Sequence, residues 1–192
     1  RNLIRSIGEH VVFDCSMMCS IMSTHVVACL LLTRWRNGVH RSTLEEDCDW
    51  LCEKILAEGG DIVGFSGKST KGSQIVKYAC ELLGSCVTVT DEDRNDEFYI
   101  SPKNSVPSFI ELAYYSNSVI CHFALKSIIA CTIYSLPNKT KNGGEAGGLG
   151  NLISQEQLVE DALSLCDWLQ YEFMFCRPCQ TLRELCHNTL GK

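Results

Sequence analysis

Five histidines and thirteen cysteines are the residues of this 192-residue chain best suited to proton transfer, nucleophilic attack or metal binding. A histidine base backed by a carboxylate can activate a hydroxyl for acyl transfer. The spacing that serves this chemistry is His-x4-Asp. At that offset His10 is followed by Cys15, His25 by Leu30, His122 by Ser127 and His187 by Lys192. His40 has Glu45 at the right place, but Ser42-x-x-Glu45 reads as a helix capping box that claims the glutamate. His10 and Asp14 are one residue too close. No histidine is therefore assigned as a base, and no catalytic residue is assigned at all.

Other motifs fare similarly. Cys176-Arg-Pro-Cys179 with Cys186-His187 could offer four zinc ligands, because thiolates three residues apart reach one ion. The six-residue gap is short, and adjacent residues of a helix diverge, so buried thiols are the simpler reading and no metal is assigned. Ser66-Gly-Lys-Ser-Thr70 resembles the end of a phosphate-binding loop. Such a loop needs a glycine five positions before Gly67, where Ile62 stands. It reads as an ordinary loop, and no cofactor is implied. Lys68, Lys71 and Lys77 could face DNA from a third helix, but the acidic run Asp91 to Glu97 would repel phosphate. A net charge of -6 points the same way, and no nucleic-acid partner is expected.

The cysteine count is odd, the chain is not short and no signal peptide precedes it, which argues for reduced thiols over a disulfide scaffold. Several cysteines occupy apolar helical positions, where they act as small hydrophobes. Hydrophobic residues at 45% and charged ones at 21% suit a globular protein with a real core. The chain begins at Arg1 and stops at Gly191-Lys192 inside a helical pattern. Both ends read as cuts, so targeting signals would lie elsewhere.

The expected class is mainly α. Residues 1–20 form a lead-in from an upstream domain, with Leu3, Ile4 and Ile7 on one face and Gly8 as a helix end. Residues 21–101 form a winged-helix-like unit of three helices and a β-hairpin. Its first helix, Ile21 to Trp35, is apolar nearly all round; His25 is expected to be a partnered core histidine, and Asn37-Gly38 ends the helix. Its second opens at Ser42, turns Leu44, Cys48, Leu51, Cys52 and Ile55 inward, and solvates Glu45, Glu46, Asp47, Asp49 and Glu53 until Gly59-Gly60. Its third is capped by Ser73, with Ile75, Ala79, Leu82 and Leu83 inward and Gly84 as the stop. Cys86 to Thr90 and Glu97 to Ile100 alternate as the hairpin strands, with a polar turn at Asp91 to Asp96.

Residues 102–136 hold a long apolar helix, Val106 to Leu136, ending before Pro137. At about 1.5 Å per residue it would span on the order of 45 Å. Burying Lys126 mid-membrane would cost about 3 kcal/mol, so a helix half buried in protein is the simpler reading. Residues 137–150 are a Gly-rich linker, where Asn138-Lys-Thr140 matches a glycosylation acceptor by chance. Residues 151–192 are a further helical segment. Ser154-x-x-Gln157 caps its first helix, Leu158, Ala162, Leu165 and Leu169 form a stripe, Phe173 to Phe175 is a short extended piece, and Leu182 opens a truncated last helix.

The strings Ser6-Ile-Gly-Glu-His-Val-Val-Phe13, Ile21-Met-Ser-Thr-His-Val-Val-Ala-Cys-Leu-Leu-Leu32, Arg94-Asn-Asp-Glu-Phe-Tyr-Ile100, Tyr115-Ser-Asn117, Ile128-Ile-Ala-Cys131 and Gly147-Gly-Leu-Gly-Asn-Leu-Ile-Ser-Gln-Glu-Gln-Leu-Val159 are distinctive together. So are Gly64-Phe-Ser-Gly67, Val106-Pro-Ser108, Pro178-Cys-Gln-Thr181 and Cys186-His187. With them the chain resembles the mitochondrial-type glycerol-3-phosphate acyltransferases over nearly its whole length, in the region C-terminal to their catalytic domain. The many cysteines, Cys176 among them, are its main departure. The resemblance implies a parent enzyme that moves an acyl group from acyl-CoA, a substrate, to the sn-1 position of glycerol 3-phosphate. It also implies attachment to the mitochondrial outer membrane through the parent protein, and the upstream acyltransferase domain as partner. The His-x4-Asp motif lies upstream, so this piece is expected to be structural or regulatory. A free-standing winged-helix binding module and a small zinc protein remain the alternatives.

Overall fold

The computed structural model describes residues 2–63, 71–91, 98–140 and 154–191. The phosphate-loop look-alike at Ser66 to Thr70, Lys68, the hairpin tip at 92–97, and positions 141–153 lie outside the described residues. Among the described residues the chain is mainly helical, with one small antiparallel sheet. In order these are α1 (Asn2–Met17), α2 (Ser23–Thr33), β1 (Val39–His40), α3 (Arg41–Ala57), α4 (Gly72–Leu83), a 3-10 turn (Gly84–Cys86), β2 (Val87–Asp91), β3 (Phe98–Pro102), α5 (Val106–Thr140), α6 (Gln155–Trp168) and α7 (Leu182–Leu190). Two compact units divide them, Met17–His122, and Arg1–Ser16 with Phe123–Lys192.

In the first of these units α2 is the centre. Thr24 and Val26 to Leu31 are all buried, so a helix of eleven residues is enclosed on nearly every side. It is shorter than the Ile21 to Trp35 run suggests. Ile21 is extended and bridges Ile62, its amide donating to the Asp61 carbonyl at 2.7 Å and its carbonyl accepting from Val63 at 2.8 Å. At the other end the amides of Arg34 and Trp35 both donate to the Leu30 carbonyl, which closes the helix. Asn37-Gly38 is therefore a turn into β1, not a helix stop. Gly38 has φ +97°, and a side chain there would strike the Tyr99 ring, whose hydroxyl donates to the Asn37 carbonyl at 2.9 Å.

Helix α3 buries Leu44, Cys48, Leu51, Cys52 and Ile55, as its periodicity requires. Its start differs from the expected capping box. The N-cap is His40, with no side-chain cap bond, and the Glu45 carboxylate accepts from Arg41 Nε at 2.7 Å. Nor is the acidic face all solvated. Asp47 accepts from Trp35 Nε1 at 2.6 Å and from Arg34 at 3.0 Å, tying the end of α2 to α3. Gly59 at φ +83° follows the last turn, and the Gly60 amide donates to the Ile55 carbonyl at 3.0 Å.

Helix α4 starts at Gly72 with Lys71, not Ser73, as its cap residue. Any Cβ at Gly72 would collide with the Glu45 backbone, so α4 crosses α3 at a point where only glycine fits. Its buried face is Ile75, Val76, Ala79 and Leu83, while Leu82 is mostly exposed. The sheet has order β1-β3-β2, with Ile100 central between Val39 and Val89. The second strand begins at Val87, one residue later than the alternation implies, because Cys86 closes the 3-10 turn.

Helix α5 runs thirty-five residues and passes Pro137. Pro137 costs the helix one backbone hydrogen bond, yet the helical run continues through it to Thr140. Its buried face is Ser108, Leu112, Ser116, Val119, Ala124, Ile128, Ile129 and Thr132. Glu111, Asn117 and Lys126 point outward with Ala113. Among the described helices it alone is long and apolar enough to cross a membrane, by length and composition.

In the second unit Ile128 and Ile129 pack with Val159, Ala162, Cys166 and Cys186. The buried stripe of α6 is thus Val159-Ala162-Cys166, rotated from the expected one, and Leu169 is exposed. Only half of the second capping box forms. Ser154 Oγ accepts from the Gln157 amide at 3.2 Å, but the Gln157 side chain reaches Asp161 at 3.3 Å. Phe173 to Phe175 joins no ladder; its two phenylalanine rings meet at 5.9 Å. Helix α1 continues through Gly8 to Met17, with Asp14 paired to Arg177 at 3.3 Å.

Two serines at nominal capping boxes should now behave differently. Ser154→Ala is expected to cost about 1 kcal/mol by losing its cap bond, while Ser42→Ala should stay within about 0.5 kcal/mol. Urea unfolding of both variants checks this; equal losses would restore the Ser42 cap.

Candidate functional site

His25, His40 and His122 each sit against a neighbour in the fold. His25 sits at the third position of α2, where its Nδ1 accepts from the Met22 amide at 3.3 Å, and its ring stacks on Tyr115 with centroids 5.9 Å apart. Burial lowers its pKa below the ordinary imidazole value. This bears out the partnered core histidine and adds what the sequence did not show, that its partner is the helix's own start. His40 meets the edge of Tyr99 at 5.4 Å, and the glutamate at the His-x4-Asp offset from it is held by Arg41. His122 lies on α5 against Gly60, with Nδ1 buried and lacking a hydrogen-bond partner. Burial lowers its pKa, with the Glu58 carboxylate opposing. Asp14, the near-miss partner of His10, pairs with Arg177.

The zinc candidates separate. Cys186 is buried in the apolar cluster with Cys166, Cys179 is exposed, and Cys176 Sγ lies 3.6 Å from the Gln180 carbonyl, to which it donates. No three His, Cys, Asp or Glu side chains among the described residues converge to hold an ion. Cys166, which lay outside the stripe expected for α6, neighbours Cys186 and Cys176. Burial, with those thiols adding, pushes it up to about 11. In the other unit burial pushes Cys52 up to about 12, helped by Asp49, and raises Cys48 strongly. A thiol so raised is protonated at neutral pH and poorly nucleophilic.

Two grooves open on the Met17–His122 unit. One of about 390 Å³, between the start of α2 and α4, is lined by Met22, Val63, Ile75, Tyr78 and Leu82, with Ser23 and Gln74 the polar members. It carries no histidine, cysteine or carboxylate. A smaller one, about 200 Å³, lies between α4 and the sheet with Arg41, Lys77, Cys80 and Glu81 at its walls. There Arg41 is already paired, and burial raises the Cys80 thiol. Neither holds a nucleophile next to a base.

A family model for the glycerol-3-phosphate acyltransferase C-terminal region matches residues 1–192. The chain belongs to this glycerol-3-phosphate acyltransferase C-terminal region family. It is 60% identical to "Probable glycerol-3-phosphate acyltransferase, mitochondrial" of Caenorhabditis elegans over 192 residues, all of this chain and 24% of that protein. It is 53% identical to the mouse "Glycerol-3-phosphate acyltransferase 1, mitochondrial" and 50% to the human one, each over all of this chain and 23% of the relative. The chain therefore spans about a quarter of the length of these relatives. In this member of the C-terminal region family, the strings that carried the resemblance form the frame: Ile21 to Leu32 is the bridge and the buried helix, and Tyr115 is the ring under His25.

The titration of this frame has a definite sign. A His25 pKa lowered in the fold means its stabilisation is present above about 6.5 and is lost as pH falls toward the folded value. Proton NMR should place the His25 midpoint below 6.5, the ordinary imidazole value. For Cys52, raised from about 9 to about 12, stability is intact below about 9 and is lost as pH rises toward 12. Urea unfolding at pH 9 to 11 should show a falling stability whose slope is smaller in Cys52→Ala; an unchanged slope would refute the assignment.

Proposed function

We propose that this chain is a non-catalytic structural region of an enzyme that transfers an acyl group from acyl-CoA to the sn-1 hydroxyl of glycerol 3-phosphate. The observation that carries this is the family match over residues 1–192 together with the absence of a His-x4-Asp spacing anywhere in them. The catalytic base belongs to the upstream acyltransferase domain, whose existence is supported by relatives four times the length of this chain. The names of those relatives support a mitochondrial location, and the outer membrane is our finer assignment.

Within the region, 21–101 is a winged-helix-like unit. The order α2-β1-α3-α4-β2-β3 and the sheet order β1-β3-β2 support that reading. The long apolar helix expected over 102–136, which runs on to Thr140, is a docking helix, the Gly-rich stretch after it a linker and 151–192 a helical segment. The unit serves as a scaffold, since fold alone carries no activity. Rigid buried helices such as α2 and α3 suit a body against which a catalytic domain is positioned.

Purified 1–192 with a long-chain acyl-CoA is expected to leave glycerol 3-phosphate unconverted. The full-length protein should convert it, and deletion of 1–192 should abolish that conversion. Turnover by 1–192 alone would overturn the proposal, as would a full-length protein unaffected by the deletion.

A further inference from the structure

Helix α1 carries its apolar residues on the wrong side for a helix that serves only this region. Leu3, Ile4, Ile7, Val11 and Val12 recur at helical spacing, and each is more than half exposed. The helix is attached at its C-terminal turn, beyond Val12. Phe13 lies under the Arg177 guanidinium, 5.9 Å from its ring centroid, and Asp14 pairs with the same arginine. Gly8 falls inside the stripe between Ile4 and Val12, and a Cβ built on it meets nothing within 4 Å.

Three occupants can cover such a stripe. A lipid surface calls for basic residues flanking the apolar face. Here Arg5 is neutralised by Glu9 at 2.8 Å, and Asp14 adds an acid. A second copy needs area. The stripe is about 14 Å long and roughly 10 Å wide, on the order of 150 Å², against about 800 Å² per partner in stable complexes. A domain of the same polypeptide needs far less, because covalent linkage supplies a high effective concentration. The relatives place about three quarters of their length outside this chain, and the family is that of a C-terminal region, so the preceding chain enters at α1.

We infer that the Leu3–Ile4–Ile7–Val11 face of α1 is the seam on which the upstream acyltransferase domain of the same polypeptide packs. This rests on the proposed function for the identity of the occupant. Hydrogen exchange of the full-length protein tests it. Amides of residues 3–12 are expected to exchange at least tenfold more slowly than in Ile4→Asp/Ile7→Asp, with Val89→Asp as a control that leaves them protected. Fast exchange in the unmutated protein would overturn the seam. If the double variant fails to fold, p-benzoylphenylalanine at Ile7 replaces it. Photo-crosslinks to peptides of the same polypeptide outside 1–192 support the seam. Crosslinks to a second copy, or protection only on adding cardiolipin vesicles, overturn it. Acyl transfer measured in parallel separates the two proposals: slow exchange without transfer overturns the activity and keeps the seam, while transfer with fast exchange does the reverse.

Discussion

Everything in the Met17–His122 unit answers to one constraint, the enclosure of α2. A helix with Val26 to Leu31 buried cannot lie on a surface. It must be walled by α3, α4 and β3, which pack on it. Its two ends reach the surface, where polar groups close them. His25 does this at the start by accepting the Met22 amide, and Asp47 does so near the end by holding Trp35 and Arg34.

The same economy accounts for the cysteines. Cys29, Cys48, Cys52, Cys86, Cys166 and Cys186 are buried free thiols in packed interiors. Small apolar-like side chains let helices approach closely, and Gly72 against α3 shows how little room is left. Burial raises these thiols away from reactivity, so cysteine abundance here reflects packing. The exposed apolar residues of α1 and the outer face of α5 are the reverse case.

Much of this was legible in the residues alone. The inward face of α3, the stop at Gly59-Gly60, the all-round apolarity of α2, the hairpin strands and the long helix all follow from period and turn chemistry. That no histidine has an aspartate at the His-x4-Asp offset was legible as well, because a motif can be tested by spacing. Family membership was readable in long specific strings for the same reason, being a property of order along the chain.

What stayed hidden were choices between equivalent local options. Ser42 and Ser73 each looked like caps, yet the helices begin one or two residues earlier, where Arg41 can take Glu45 and Gly72 can meet α3. The centre of the α6 face shifted from Leu158 toward Val159 and Cys166, with Leu165 still packed at its edge, because Ile128 and Ile129 set which side is inside. Asp47 left the solvated face once Trp35 came within reach. Period along the chain states that a face exists and how wide it is. Which neighbour fills it, and which polar group is called inward to close a helix end, depends on contacts between residues distant in the chain.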